Sequence, residues 1–134
     1  MSPTTASYTG HRALTLAGFL AIAAGALHVV IAFIGYKPFF LNALWFASSG
    51  IAIALIGVVT LFARNTPAGS IERWVAVGAN AAGFFIALAY SLFNRWREPR
   101  GYVEMAIFLT GLVAAMLGGR QAATATADRS QQRA

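Results

Sequence analysis

From Ala13 to Ile34 the chain runs for 22 residues without a charged side chain, and the only ionisable group in the run is a histidine, His28. A stretch of that length and polarity is long enough to cross a bilayer as a helix. Its small residues recur at helical spacing: Gly18, Ala21, Gly25, His28, Ala32 and Gly35 follow one another at steps of three and four and so share one face. In lipid such a face is where helices approach closely, so His28 is expected to look toward other helices rather than toward hydrocarbon.

Three further runs repeat the design. With the first they give spans at 13–34, 39–63, 71–93 and 102–118, of 22, 25, 23 and 17 residues. They leave 47 residues for every loop and both tails, too few for a soluble domain. The composition agrees, because 58% of the residues are hydrophobic and 10% charged, whereas about a quarter are charged in soluble domains. The expected fold is therefore an all-α integral membrane protein. Its four helices form an up-and-down, left-handed bundle with short loops at 13–119, between disordered tails at 1–12 and 120–134. Cysteine is absent, which removes disulfides, thiolate metal sites and thiol redox chemistry.

His11 and Arg12 mark the entry into the membrane. Ala21-Ile22-Ala23 has the small-residue character of a signal cleavage site, but the apolar run continues well past it, as in a retained span. Gly35-Tyr36-Lys37-Pro38 is a tight connection to an antiparallel neighbour. In the second span Ala43, Ala47, Gly50, Ala54 and Gly57 form the small face, flanked by Asn42 and Ser49; Trp45 lies nearly opposite, as a lipid or subunit contact. Ser70 is placed to cap the third helix, with Glu72 near the positive end of its dipole.

The third stripe is Ala76, Asn80, Gly83, Ala87, Tyr90 and Asn94, and the fourth is Glu104, Ile107, Gly111, Ala114 and Gly118. Glu104 is the only acidic residue well inside an apolar run. Between these spans, Arg95 to Gly101 is the densest charge cluster, expected to meet lipid headgroups, with Trp96 and Tyr102 as interface anchors.

At about 1.5 Å of rise per residue, His28 lies about 10 Å in from the side of the first and third loops, Glu104 and Tyr90 about 6 Å, and Asn42 about 5 Å. The candidate polar pocket is therefore His28, Asn42, Ser49, Tyr90, Asn94 and Glu104, with room expected beside Gly25 and Gly111. Asn80 is several turns deeper and is expected to bond across helices on its own. Gly18, Gly25, Gly50, Gly57, Gly83, Gly111 and Gly118, together with Asn80, are the expected packing positions. Ionisable groups are costly in hydrocarbon, by about 2.5–3.5 kcal/mol for the worst side chains at the centre, so an intramembrane His and Glu on converging faces mark a candidate functional site. The plainer alternative has His28 bonding a carbonyl and Glu104 reaching headgroup water.

The net charge of +6 comes from basic residues dispersed among loops and tails, which suits anionic headgroups and not nucleic acid. Arg12, Arg64, Arg73, Arg120, Arg129 and Arg133 lie on the side of the termini, against Lys37, Arg95, Arg97 and Arg100 on the other. That balance favours cytoplasmic termini in a cell (inner) membrane. No HExxH, paired-carboxylate or phosphate-loop motif is present, and one in-span histidine cannot supply both axial ligands of a haem. No catalytic residue, metal or cofactor is expected. Two functions fit: proton-coupled transport through the His28 and Glu104 pocket, or a structural or accessory role in a larger membrane complex. The expected partners are the lipid bilayer and either further copies of the chain or another membrane protein.

Overall fold

The computed structural model describes the backbone of residues 5–36, 41–67 and 69–131, and the side-chain surroundings of residues 10–36, 41–67 and 69–117. It contains four helices, α1 (Thr5–Gly35), α2 (Leu41–Ala63), α3 (Ile71–Phe93) and α4 (Pro99–Gln131), and no strand among the described residues. All four are long and apolar enough to span a membrane, over Gly10–Gly35, Leu41–Ala63, Ile71–Phe93 and Pro99–Leu117. Lys37, Pro38, Phe39 and Phe40, at the first predicted connection, lie outside the described residues, as do the surroundings of Gly118.

One boundary differs from the expectation. Helix α4 begins at Pro99 and not Tyr102, because proline's fixed φ and missing N–H suit a first helical turn. Helix α1 is described from Thr5 and α4 up to Gln131. No proline interrupts either extension, and the residues after Gly119 are rich in alanine. The hydrogen-bonded ladder thus continues outward from a packed span with no new nucleation step.

Helix α1 packs against α2 and α4, and α3 against α4 and α2; α2 and α4 also touch across the centre, whereas α1 and α3 do not meet among the described residues. Neighbours are antiparallel. Going up α1, Gly18 meets Gly57 and Gly25 meets Gly50, so α2 descends as α1 rises.

The helices are small inside and large outside. Buried positions on α2 are Ala43, Ala47, Gly50, Ile53, Gly57, Thr60 and Ala63, spaced by fours and threes, with Ile53 in place of the expected Ala54, which is half-buried. Phe62 and Phe93, by contrast, are 72% and 88% exposed, on the surface that hydrocarbon covers. With no hydrophobic drive between helices in lipid, small side chains are what allow backbones to come within dispersion and hydrogen-bonding range. The closest approach is between α1 and α2. A methyl group on Gly50 would stand 2.6 Å from the Gly25 carbonyl oxygen, and one on Gly57 would stand 2.6 Å from that of Gly18. On the other side of the bundle, Gly83 lies under the ring of Phe108 and Gly111 under the side chain of Asn80.

The half of the bundle nearer the termini is closed by Leu14, Ala114 and Ala115, and by Asn80, whose Nδ2 donates to Thr60 Oγ1 at 2.7 Å and to the Ala76 carbonyl at 2.9 Å. The other half holds a cavity.

Candidate functional site

The site is built on a histidine whose tautomer is fixed by its own helix. His28 Nδ1 lies 2.9 Å from the carbonyl of Ala24, one turn earlier on α1. A carbonyl only accepts, so Nδ1 carries the proton and Nε2 is turned toward α4. There Nε2 stands 3.0 Å from Glu104 Oε1, with the two side chains 9% and 13% exposed. The contact is within ion-pair range but poorly aligned, and the buried Oε1 takes no well-directed hydrogen bond. The imidazole is stacked on Phe46 of α2, with ring centroids 4.6 Å apart and planes inclined at 21°. His28 reaches this position because the neighbouring helix has no side chain at Gly50: a Cβ there would meet the His28 Cβ at 2.7 Å.

Nearer the membrane surface, Arg100 from the first turn of α4 lies over two aromatic rings. Its guanidinium carbon is 4.9 Å from the Phe46 centroid and 4.4 Å from that of Tyr90, within cation–π range. Arg100 Nη2 donates to the Tyr90 hydroxyl, which in turn donates to Glu98 Oε2 at 2.6 Å. Nη2 is 3.5 Å from that same carboxylate oxygen. Glu98, Tyr90 and Arg100 thus form a polar bracket around the mouth of the site, with His28 and Glu104 beneath it.

A cavity of about 640 Å³ lies against these groups and extends between α2 and α3, past Ala52, Ile53 and Ile56 on one wall and Gly83, Ile86 and Ala87 on the other. A second, of about 570 Å³, lies on the opposite flank between α1 and α4, along Leu27, Ile31 and Val103. Both are lined by His28, Tyr36, Phe46, Tyr90, Arg100 and Glu104, so the polar cluster stands as a partition between two largely apolar spaces. Their volumes are those of small-molecule sites.

No protein-family model, curated protein or solved structure matches this chain.

Of the six pocket residues proposed from sequence, the structure brings five to the first cavity. His28 and Glu104 pair, Tyr90 joins the bracket, and Asn42 and Ser49 line the α2 wall, the Ser49 hydroxyl donating to the Phe46 carbonyl at 2.7 Å. Asn94 is elsewhere. Its Nδ2 donates to the Tyr90 carbonyl at 3.1 Å, and it lines a shallow surface hollow with Arg95 and Arg97. The buried face of α3 runs Ala76, Asn80, Gly83, Ala87, Ser91, ending in a step of four where the sequence pattern took a step of three to Tyr90. A straight helix drifts about 20° per heptad against a strict seven-residue repeat, and two heptads of drift turn Asn94 out of the face.

The room expected beside Gly25 and Gly111 is filled, by the backbone of α2 and by Asn80 respectively, and it is Gly50 that makes space for the imidazole. Trp45 is 70% exposed, as a lipid contact should be, yet its inner edge also lines the cavity. Phe46 and Arg100 are residues of the site that spacing did not pick out. The signal for Arg100 lies in its position one helical turn before Glu104.

Chemically, the pair can share one proton. With Nδ1 committed to Ala24, the proton between Nε2 and Oε1 resides on either partner, as imidazolium and carboxylate or as neutral imidazole and carboxylic acid. The two states have the same charge. Gaining a second proton or losing the shared one changes the net charge of a largely buried centre, which any bound ligand would feel. The ionisable groups that face the pair are Arg100 on α4, Tyr90 on α3, Tyr36 just after α1 and, across the second cavity, Glu98.

Proposed function

We propose that this is a proton-coupled carrier of a small, mainly apolar molecule, with termini on the cytoplasmic side of a cell membrane. The carrying observation is the contact of 3.0 Å between His28 Nε2 and Glu104 Oε1 at the base of an aromatic-walled cavity. A purely structural histidine is satisfied by its helix carbonyl, as Nδ1 of His28 is. It has no need of a second, ionisable partner placed in hydrocarbon, where such groups are costly. In the proposed cycle, cargo occupies the cavity and the pair takes up or releases a proton in exchange.

Two measurements on one preparation test this. Infrared difference spectra between about pH 4 and pH 10 follow the carboxyl stretch of Glu104, assigned by its loss in Glu104→Gln. Liposomes loaded with a pH dye and carrying the protein are then challenged with amphiphilic acids, alcohols and amines under an imposed pH gradient. The expected result is a Glu104 band that titrates, and a protein-dependent proton flux with one compound class that Glu104→Gln abolishes. A silent carboxyl band together with no protein-dependent flux for any class refutes the reading.

A further inference from the structure

The first cavity is open on its side. Trp45 of α2 and Ile86 of α3 both line it and both are 70% exposed, so it meets the surrounding lipid between these two helices. Along α2 it runs from Asn42 to Ile56, about 21 Å at helical rise, and below the polar cluster its walls are mainly apolar. A ligand that fits has a polar head near the membrane surface and an apolar body directed toward the bilayer centre.

The charges at the head end define the head. The ionisable residues that line this cavity with full charge-bearing capacity are His28 and Arg100, which are basic, and Glu104, which is acidic; Glu98 lines the other cavity and its side chain is 51% exposed. With one proton shared by the pair, Arg100 is the remaining cation of the lining, and Glu98 offsets it only from the half-exposed mouth, 3.5 Å from Nη2. That guanidinium is held between two rings and bonds through Nη2 alone; its Nε and Nη1 donors have no partner among the described residues. A guanidinium offers five N–H groups in a planar fork that matches a carboxylate. An amine head would set a cation against Arg100, and an alcohol would bring its free donors only one neutral acceptor.

We propose that this cavity binds a weak organic acid with an apolar chain, admitted sideways from the lipid, with Arg100 holding the carboxylate and the His28–Glu104 pair receiving the acid's proton. The proposal rests on the reading of that pair as a proton-exchanging centre. The acid enters neutral, since that is the form soluble in hydrocarbon. Its O–H bond breaks, and the proton joins the one already held between Nε2 and Oε1. The products are an imidazolium, an un-ionised Glu104 carboxyl and a ligand carboxylate against the Arg100 fork. Charge and protons balance with no further reactant.

The test uses the full chain in phosphatidylcholine nanodiscs, with Trp74→Phe and Trp96→Phe leaving Trp45 as the only tryptophan at the cavity. Bromododecanoic acid, bromododecanol and bromododecylamine are compared as quenchers of Trp45 emission. The expected result is saturable quenching by the acid, reversed by unbrominated dodecanoic acid, with only the linear quenching of bulk partitioning for the alcohol and the amine. Arg100→Gln raises the half-saturating mole fraction at least about tenfold, the loss of one charge-assisted bond. Arg100→Lys, which keeps the charge, retains saturable binding and shows that the fold is intact.

Equal quenching by acid and alcohol, saturation by the amine, or unchanged acid binding in Arg100→Gln overturns the proposal. The Glu104 infrared band separates this failure from that of the underlying reading. A band that responds to the alcohol or the amine leaves proton exchange standing and removes the acid. Saturable acid binding with a silent band removes the proton step, and with it the proposal as stated.

Discussion

Replacing His28 and Glu104 by apolar residues of similar shape, singly and together, measures how strongly they are coupled. His28→Phe keeps the stack on Phe46 but removes both ring nitrogens, and so costs the Ala24 bond and leaves Glu104 without its partner. Glu104→Leu leaves Nε2 facing aliphatic carbon. Hydrogen bonds to charged groups are worth about 1.5–3 kcal/mol, and neutral interhelical bonds in a membrane protein average about 0.6 kcal/mol. With side chains only 9% and 13% exposed, water does little to screen the contact. Each single variant should therefore lose about 2–3 kcal/mol, and the double variant should lose less than the sum by about 2 kcal/mol, because it leaves no buried charge behind. Reversible unfolding in mixed micelles, followed by circular dichroism against denaturing-detergent mole fraction, gives all four corners of the cycle. Additivity within about 0.5 kcal/mol would refute the pairing, and coupling near 0.6 kcal/mol would reduce it to an ordinary interhelical hydrogen bond.

The same unfolding assay checks the packing. Gly25→Ala puts a methyl group 2.6 Å from the Ala54 backbone nitrogen and should cost about 1–3 kcal/mol. Gly78→Ala has nothing within 4 Å and should be neutral or stabilising by up to about 1 kcal/mol. Asn80→Leu and Thr60→Val remove the same buried bond, so each should cost about 1 kcal/mol and their combination should be clearly less than additive. Arg95 has φ 51°, in the left-handed region, and Arg95→Gly should raise stability by about 1 kcal/mol. A loss of stability there would show that the arginine side chain contributes more than its backbone conformation costs.

Much of this architecture is legible in one sequence because a membrane protein reports its interior through residue size. The stripes through Gly18 and Gly25, Gly50 and Gly57, and Asn80 and Gly83 are the buried faces, since only small groups admit a second backbone. His28 and Glu104 were legible by exclusion, as ionisable groups with no cheap alternative to facing inward. Spacing fails where it must predict distance along a helix or reach. Drift of the face along α3 removes Asn94 from the pocket, and Phe46 has no periodic signature because it touches His28 from the flank of its stripe. Arg100 reads as one more headgroup contact until the tertiary fold places Phe46 and Tyr90 on either side of it.

The opening between α2 and α3 changes what concentration means for this protein. A molecule that arrives from the side is sampled at its abundance in the bilayer, and partition sets that abundance before any contact with the cavity. Each added methylene contributes about 0.8 kcal/mol to membrane partition, close to a fourfold enrichment. A series of chain lengths compared in aqueous units would therefore rank by solubility in lipid, whatever the walls between Ile56 and Ile86 prefer. Selectivity emerges only when occupancy is expressed per lipid molecule. The amount of membrane in the sample then acts as a titrant in its own right, diluting the ligand as surely as added buffer would for a soluble receptor.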